Sequence, residues 1–179
     1  MTLASYVSVS RILLIFPILS LTYYQNEFYS WLALVIFIFA GVTDYLDGYI
    51  ARKTNTESSL GALLDLLADK LLVCLVLLWL VFLSQSLYLI FPTIIIISRE
   101  LAVSSLRQYI VEKIGENPIQ VTYIAKSKTT MQFIAISFLI LSPHMGIIFN
   151  KITILLVSLS ALISLYSLNN YLDLYKKYF

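Results

Sequence analysis

The chain has 179 residues, of which 60% are hydrophobic and only 12% are charged. This composition excludes an ordinary soluble domain and indicates an integral membrane protein. The net charge of +2 is too small to favour nucleic acid as a partner.

Six apolar runs follow one another along the chain, at 7–24, 31–49, 62–83, 87–111, 121–141 and 147–168. Each is close to the ~20 residues that a helix needs to cross the hydrocarbon of a bilayer. The connections between them are too short for a soluble module, and no repeat at a fixed period is visible. We therefore expect one six-helix membrane domain over residues 1–179, with any active site built at helix ends.

Positive charge is distributed unevenly between the two sides of this expected bundle. Of the 12 lysines and arginines, all but Lys151 fall on the side that carries both chain termini. By the positive-inside rule, that side faces the cytoplasm. Cations concentrated at one interface indicate anionic lipid headgroups or a phosphorylated substrate.

The stretch DYLDGYIARKTNTESSLGALLDLLAD, residues 44–69, sets four aspartates in this apolar chain. Spacings of three, four and seven residues return to the same side of a helix, so two helices each show a face of carboxylates and small side chains. These faces consist of Asp44, Asp47, Gly48 and Ala51, and of Gly61, Asp65, Ala68 and Asp69. Thr54-Asn55-Thr56-Glu57 has capping-box spacing, which predicts a tight turn at Lys53 and a third helix beginning near Thr54.

Aspartates at membrane depth need compensation, because one at a helix centre costs ~2.5–3.5 kcal/mol on insertion scales. Basic residues on these two faces are too few to pair with all the acids, whereas divalent cations with oxygen ligands would neutralise them. Such cations next to phosphate support phosphoryl transfer. The alternative is that the acids form ion pairs between helices or line the pathway of a small cation transporter. Small residues at fixed spacings, Gly48, Ala51 and Gly61, argue against a pathway.

The same stretch resembles the motif of the CDP-alcohol phosphotransferases, D-x2-D-G-x2-A-R-x8-G-x3-D-x3-D. All its fixed positions match, at Asp44, Asp47, Gly48, Ala51, Arg52, Gly61, Asp65 and Asp69. The resemblance implies an all-α integral membrane fold with six transmembrane helices, a homodimer, and a divalent metal, Mg²⁺ or Mn²⁺.

The resemblance also implies a reaction in which a hydroxyl attacks the phosphate that joins CMP to a lipid, so that CMP is released. Asp69 would take the hydroxyl proton as general base while also touching the metal. The implied metal ligands are Asp44, Asp47, Asp65 and Asp69. The implied contacts to CDP-diacylglycerol are Gly48, Ala51, Arg52 and Gly61.

Two later stretches bear on the acceptor. In ISRELAVSSLRQ, residues 97–108, Arg99 lies ~18 Å of helix beyond the start of its run and needs an anionic partner, while Glu100 points about 100° away. In AKSKTTMQ, residues 125–132, Lys126 and Lys128 begin the fifth helix. With Arg107 they predict a basic cluster near the metal site, which suits a phosphorylated acceptor better than a neutral one such as serine.

Residues 98–132 resemble the bacterial branch of that family that makes phosphatidylglycerophosphate from CDP-diacylglycerol and glycerol 3-phosphate. This implies an inner-membrane enzyme with its active site and termini in the cytoplasm. Other acceptors, namely inositol phosphate, serine or phosphatidylglycerol, stay open. The first helix departs from the branch pattern Asn-x-x-Thr-x-x-Arg, having Ser5, Ser8 and Arg11 at those places, and we assign no substrate contact to it.

Overall fold

A computed structural model describes residues 3–54, 59–114 and 123–175 of the chain. These residues form six α-helices and a short 3-10 helix. The α-helices are α1 (Leu3–Tyr23), α2 (Glu27–Thr54), α3 (Ser59–Ser84), α4 (Leu87–Ile114), α5 (Tyr123–Leu141) and α6 (Ile147–Tyr175); the 3-10 helix is Ser142–His144. Side chains of residues 3–7, 44–54, 59, 60, 62, 114, 123–126, 174 and 175 lie outside the described part of the structure. Within the described residues, each of the six apolar runs corresponds to one α-helix, so the all-helical prediction is confirmed.

A glutamine in the left-handed backbone conformation follows the end of α1, and another follows the end of α3. Gln25 has a φ of 47° and Gln85 a φ of 49°. The Gln25 amide donates to the Thr22 carbonyl at 3.3 Å, and the Gln85 amide donates to the Val81 carbonyl at 3.1 Å. A left-handed residue after the last turn is a common way to end a helix, and it lets the chain reverse within a few residues.

The second helix ends later than the sequence predicted. It runs through Lys53 to Thr54, so the predicted turn at Lys53 is wrong. Ala51, Arg52 and Lys53 are good helix formers, and cations in a last turn interact favourably with the helix dipole. These preferences outweigh the capping-box pattern, whose remaining residues at 55–57 lie outside the described residues.

Within the described residues, three stretches are long and apolar enough to cross a membrane. They are Leu63–Ser84, Leu87–Lys113 and Ile147–Asp173, on α3, α4 and α6. Shorter apolar helical stretches cover Ser8–Tyr23 and Glu27–Thr43. Large apolar side chains such as Phe16 and Phe82 are exposed, as contact with lipid requires. These features fit a membrane protein.

The chain divides into two compact units, the first formed by Met1–Gln85 with Ile136–Asn150. In this unit α1 packs against both α2 and α3. The contact between α1 and α3 includes Trp79, whose Nε1 donates to the Leu19 carbonyl and to Thr22 Oγ1, both at 3.1 Å. Buried small residues, Ala33 and Ala40 on α2 and Ala68 on α3, allow close packing. This packing places Ser8 and Arg11 of α1 next to the acids of α3.

The second unit is formed by Ser86–Ala135 with Lys151–Phe179. Its apolar core contains Val103, Ile110 and Tyr171, with Leu106 and Leu168 packed against them. Side-chain contacts between α4 and α6 advance in the same direction along both helices, from Arg99 with Ser167 to Arg107 with Tyr171. The two helices therefore run parallel, and their facing sides carry both arginines.

Candidate active site

The acids of α3 lie one helical turn apart. Asp65 and Asp69 are separated by four residues, which places them on the same face of the helix. Gly61, one turn before Asp65, and Ala68 are buried. The predicted acid face of the third helix is therefore present, and small residues border it.

Arg11 of α1 contacts both of these acids. Its Nη1 lies 2.6 Å from Asp69 Oδ1 and 3.3 Å from Asp65 Oδ1. Ser8, one turn earlier on α1, donates from its hydroxyl to Asp65 Oδ1 at 3.4 Å. This cation comes from a third helix and not from either of the two helices that carry the acids.

Burial differs sharply across these ion pairs. The side chain of Arg11 is 1% exposed, whereas those of Asp65 and Asp69 are 45% and 47% exposed. A buried guanidinium must be paired, because leaving a charge alone in a medium of low dielectric is expensive. The guanidinium thus contacts the acids from the protein interior, and the exposed part of each carboxylate stays accessible to a ligand.

The acids of α2 lie on a helix whose backbone is described but whose side chains at these positions are not. Asp44, Asp47, Gly48, Ala51 and Arg52 all fall within Glu27–Thr54. Because the helix is continuous, Asp44 and Asp47 share a face, as their spacing of three predicts. Their side-chain contacts lie outside the described residues, and their predicted roles stay predictions.

The described part of the acid site fits a divalent cation by its chemistry. Carboxylate oxygens are the ligands that Mg²⁺ and Mn²⁺ prefer, and Asp65 and Asp69 present two half-exposed carboxylates one turn apart. Among the described side chains, no group of three or more His, Cys, Asp or Glu residues is close enough to hold a metal ion. Asp44 and Asp47, the other two predicted ligands, have side chains outside the described residues.

Arg99 on α4 is buried, with 5% of its side chain exposed. Its Nη2 donates to Ser167 Oγ at 2.7 Å, and its Nε donates to the Ser164 carbonyl at 3.3 Å. Its Nη1 lies 3.7 Å from Glu100 Oε2. The expectation that Glu100 points away from Arg99 is therefore wrong, because the flexible glutamate side chain bends back toward its neighbour.

Glu100 also connects α4 to α5. Its Oε1 accepts hydrogen bonds from Lys128 Nζ and, at 3.2 Å, from Gln132 Nε2. Lys128 is 2% exposed and Gln132 is 2% exposed, so this is a buried polar network. The predicted phosphate-binding residue Lys128 therefore has a carboxylate partner inside the protein.

Arg107 lies two turns beyond Arg99 on α4. Its Nη2 donates to the Tyr171 hydroxyl at 3.3 Å, and the ring of Tyr171 lies 5.8 Å from Arg99 Cζ. Three of the residues predicted to bind the acceptor phosphate, Arg99, Arg107 and Lys128, thus lie in one unit. The side chain of Lys126 is outside the described residues.

Sequence reasoning missed the partners that hold these charged groups. Arg11 could have been found from a single cation within the apolar first run, with Ser8 one turn before it. The partners on α6 could have been found from Ser164, Ser167 and Tyr171, whose spacings of three and four mark a polar face on an apolar helix. Helix packing decides which charged groups contact the polar residues of α1 and α6.

Comparison with known proteins gives a consistent result. A family profile described as CDP-alcohol phosphatidyltransferase matches residues 1–166. A protein of Rickettsia bellii is 36% identical over 180 residues, covering 99% of this chain and 97% of its own length. Proteins of Haemophilus influenzae and Escherichia coli K12 are 34% and 33% identical, covering 96% and 91% of this chain and 91% and 88% of their own lengths. All three are named CDP-diacylglycerol–glycerol-3-phosphate 3-phosphatidyltransferase.

Proposed function

This chain belongs to the CDP-alcohol phosphatidyltransferase family, and we propose that it transfers the phosphatidyl group from CDP-diacylglycerol to sn-glycerol 3-phosphate. The products are phosphatidylglycerophosphate and CMP, which places the enzyme in phospholipid biosynthesis. The observation that carries this proposal is similarity to the named relatives over nearly their whole length and nearly the whole of this chain.

The reaction replaces a phosphoanhydride bond with a phosphoester bond. A hydroxyl of glycerol 3-phosphate attacks the phosphorus that bears diacylglycerol; a new P–O bond forms, the bond to the CMP oxygen breaks, and CMP leaves. The attacking hydroxyl loses its proton to Asp69, the general base of the proposal, which lies on the half-exposed acid face of α3. Arg11 restrains the carboxylates of Asp65 and Asp69 by contacting both from one nitrogen.

A divalent cation, Mg²⁺ or Mn²⁺, belongs to this proposal. Its ligands are Asp44, Asp47, Asp65 and Asp69, of which the last two fit by position and exposure. When bound, the cation supplies charge stabilisation to the phosphate oxygens and the leaving group. The nucleotide end of CDP-diacylglycerol is assigned to Gly48, Ala51, Arg52 and Gly61, where small residues leave room beside the acids.

The phosphate of the acceptor is assigned to Arg99, Arg107, Lys126 and Lys128. Arginine binds a phosphate monoester through paired N–H donors, and lysine adds a point charge. Support comes from Arg99, which is oriented by neutral groups on α6, while the carboxylate of Glu100 is shared between Arg99 and Lys128, so that these two cations keep a net positive charge for an anion. A neutral acceptor would not need such a charge.

The membrane arrangement completes the proposal. All six α-helices span the membrane as one domain, including α1, α2 and α5, with both termini and the active site on the cytoplasmic face of a bacterial inner membrane. The asymmetry of lysine and arginine supports this orientation. Two copies of the chain form a homodimer in this proposal.

The test is CMP release by the purified protein in detergent or liposomes. CDP-diacylglycerol is supplied with glycerol 3-phosphate, glycerol, serine, inositol phosphate or phosphatidylglycerol in parallel. Glycerol 3-phosphate should be the best acceptor by at least an order of magnitude, and glycerol without its phosphate should be poor. Faster CMP release with serine or phosphatidylglycerol would refute the choice of acceptor but keep the family chemistry.

A further inference from the structure

A buried polar face runs along α6. Ser160, Ser164, Ser167 and Tyr171 recur at spacings of four, three and four residues, and each is at most 3% exposed. We call these residues the α6 polar face. Polar side chains inside an apolar membrane helix require partners within the protein, because lipid offers none.

Two residues of this face, Ser164 and Ser167, bind the guanidinium of Arg99, whereas Ser160 Oγ has no hydrogen-bond partner among the described residues. Ser167 Oγ accepts from Nη2 at 2.7 Å, and the Ser164 carbonyl accepts from Nε at 3.3 Å. These two nitrogens form one edge of the planar group, so two acceptors on the same helix fix its plane as well as its position.

Tyr171 links Arg99 to the second arginine of α4. Its ring lies 5.8 Å from Arg99 Cζ, and its hydroxyl accepts from Arg107 Nη2 at 3.3 Å. A cation beside an aromatic ring is stabilised most where water is excluded, and Tyr171 is 3% exposed. One buried side chain therefore contacts both arginines.

The chemistry of these partners decides what the arginines can do. A carbonyl, a hydroxyl and an aromatic ring orient a guanidinium without neutralising it, whereas a carboxylate would do both. Arg99 Nη1 also pairs with Glu100 Oε2 at 3.7 Å, while the other oxygen of that carboxylate, Oε1, accepts from Lys128 and Gln132. One carboxylate is thus shared between two cations, Arg99 and Lys128, so a net positive charge is left for an anion, and α6 fixes the plane of the Arg99 guanidinium.

We propose that Ser167 and Tyr171 are positioning residues that hold Arg99 and Arg107 in place for the phosphate of the acceptor. The inference rests on the proposed function, in which both arginines bind that phosphate. Neither residue of α6 touches the acceptor in this proposal. They act by restricting the arginine side chains before the acceptor binds, so that less conformational entropy is lost on binding.

The first experiment is Ser167→Ala, with initial rates of CMP release measured against each substrate in turn. The KM for glycerol 3-phosphate should rise roughly five- to tenfold, since a hydrogen bond to a charged group is lost, while the KM for CDP-diacylglycerol should stay within about twofold. Ser167→Thr keeps the hydroxyl and should restore the acceptor KM. Tyr171→Phe, which keeps the ring but loses the bond to Arg107, should raise the acceptor KM by a smaller factor.

A matched control lies on the same helix. The hydroxyl of Ser158 donates to the Ile154 carbonyl at 2.8 Å within α6, so Ser158→Ala removes a serine hydroxyl bonded within its own helix. Its acceptor KM should be unchanged. Thermal melting in detergent is measured for every variant, so that loss of fold is separated from loss of acceptor affinity.

A double-mutant cycle with Arg99→Ala provides the decisive readout. If Ser167 acts through Arg99, then adding Ser167→Ala to Arg99→Ala should raise the acceptor KM no further. Additive effects, or equal losses of affinity for both substrates, would overturn the positioning role and leave only a structural one. An Arg99→Ala enzyme with normal acceptor KM would instead refute the acceptor site itself. A strong Arg99→Ala effect with a silent Ser167→Ala would refute this inference alone.

Discussion

Arg11 Nη1 lies 2.6 Å from Asp69 Oδ1, so the first helix provides a buried cation to the acid face of the third. The same nitrogen reaches Asp65 at 3.3 Å. The two half-exposed acids are therefore restrained from behind by the protein itself. This arrangement gives the first helix a role in the site that requires no contact with substrate.

Removing this cation should impair both turnover and stability. We expect Arg11→Met to lower kcat by about 10²-fold, because small displacements of reacting groups have effects of that size. Arg11→Lys should retain part of the activity, since an ammonium keeps the charge but not the geometry of a guanidinium. The measurements are CMP release and the melting temperature. Lys151→Met, which removes one exposed positive charge at the start of α6, serves as the control. Full turnover by Arg11→Met would exclude the positioning role.

Loss of a metal ligand should weaken metal binding and abolish activity. Asp44→Asn, Asp47→Asn and Asp65→Asn are nearly isosteric changes, but an amide cannot neutralise a divalent cation. Binding of Mn²⁺ followed by electron paramagnetic resonance should weaken at least tenfold for each variant, and a chelator should stop the native enzyme. Asp173→Asn, at an exposed position of α6, should bind Mn²⁺ normally. A metal-stripped native enzyme with full turnover would contradict the metal site.

Asp69→Asn should separate substrate binding from the chemical step. A general base is needed only when the hydroxyl loses its proton, and it contributes roughly 10²–10⁴-fold to the rate. We therefore expect kcat to fall in that range while the affinity for CDP-diacylglycerol, measured by equilibrium binding, changes little. Near-normal turnover by this variant would assign the base to another group.

A bulky side chain at Gly48 should block CDP-diacylglycerol. The missing side chain of Gly48 is the space assigned to the nucleotide, so Gly48→Leu should weaken CDP-diacylglycerol binding while Mn²⁺ binding persists. Gly146 is the matched control, because a Cβ added there meets no atom within 4 Å. Gly146→Leu should therefore bind the lipid substrate normally. Unchanged affinity in Gly48→Leu would show that this glycine serves helix packing instead.

The class of the protein and its helices could be predicted from the sequence, because both depend on local properties. Six apolar runs of near-spanning length became six α-helices, and the spacing of Asp65 and Asp69 placed them on one face of α3. The motif containing these acids led to the family that the comparisons show. The end of α2 was missed because competing local preferences near Lys53 differ by little free energy.

Only the tertiary structure decided which charges and partners meet. Arg11 is separated from Asp69 by 58 residues, and Arg99 from Ser167 by 68, so no helical periodicity connects either pair. The sequence determined that buried cations and carboxylates in an apolar chain need partners, since an unpaired charge in a low dielectric is unstable. Helix packing then determined that Arg11 would meet two carboxylates, whereas Arg99 would be oriented by a hydroxyl and a carbonyl of α6.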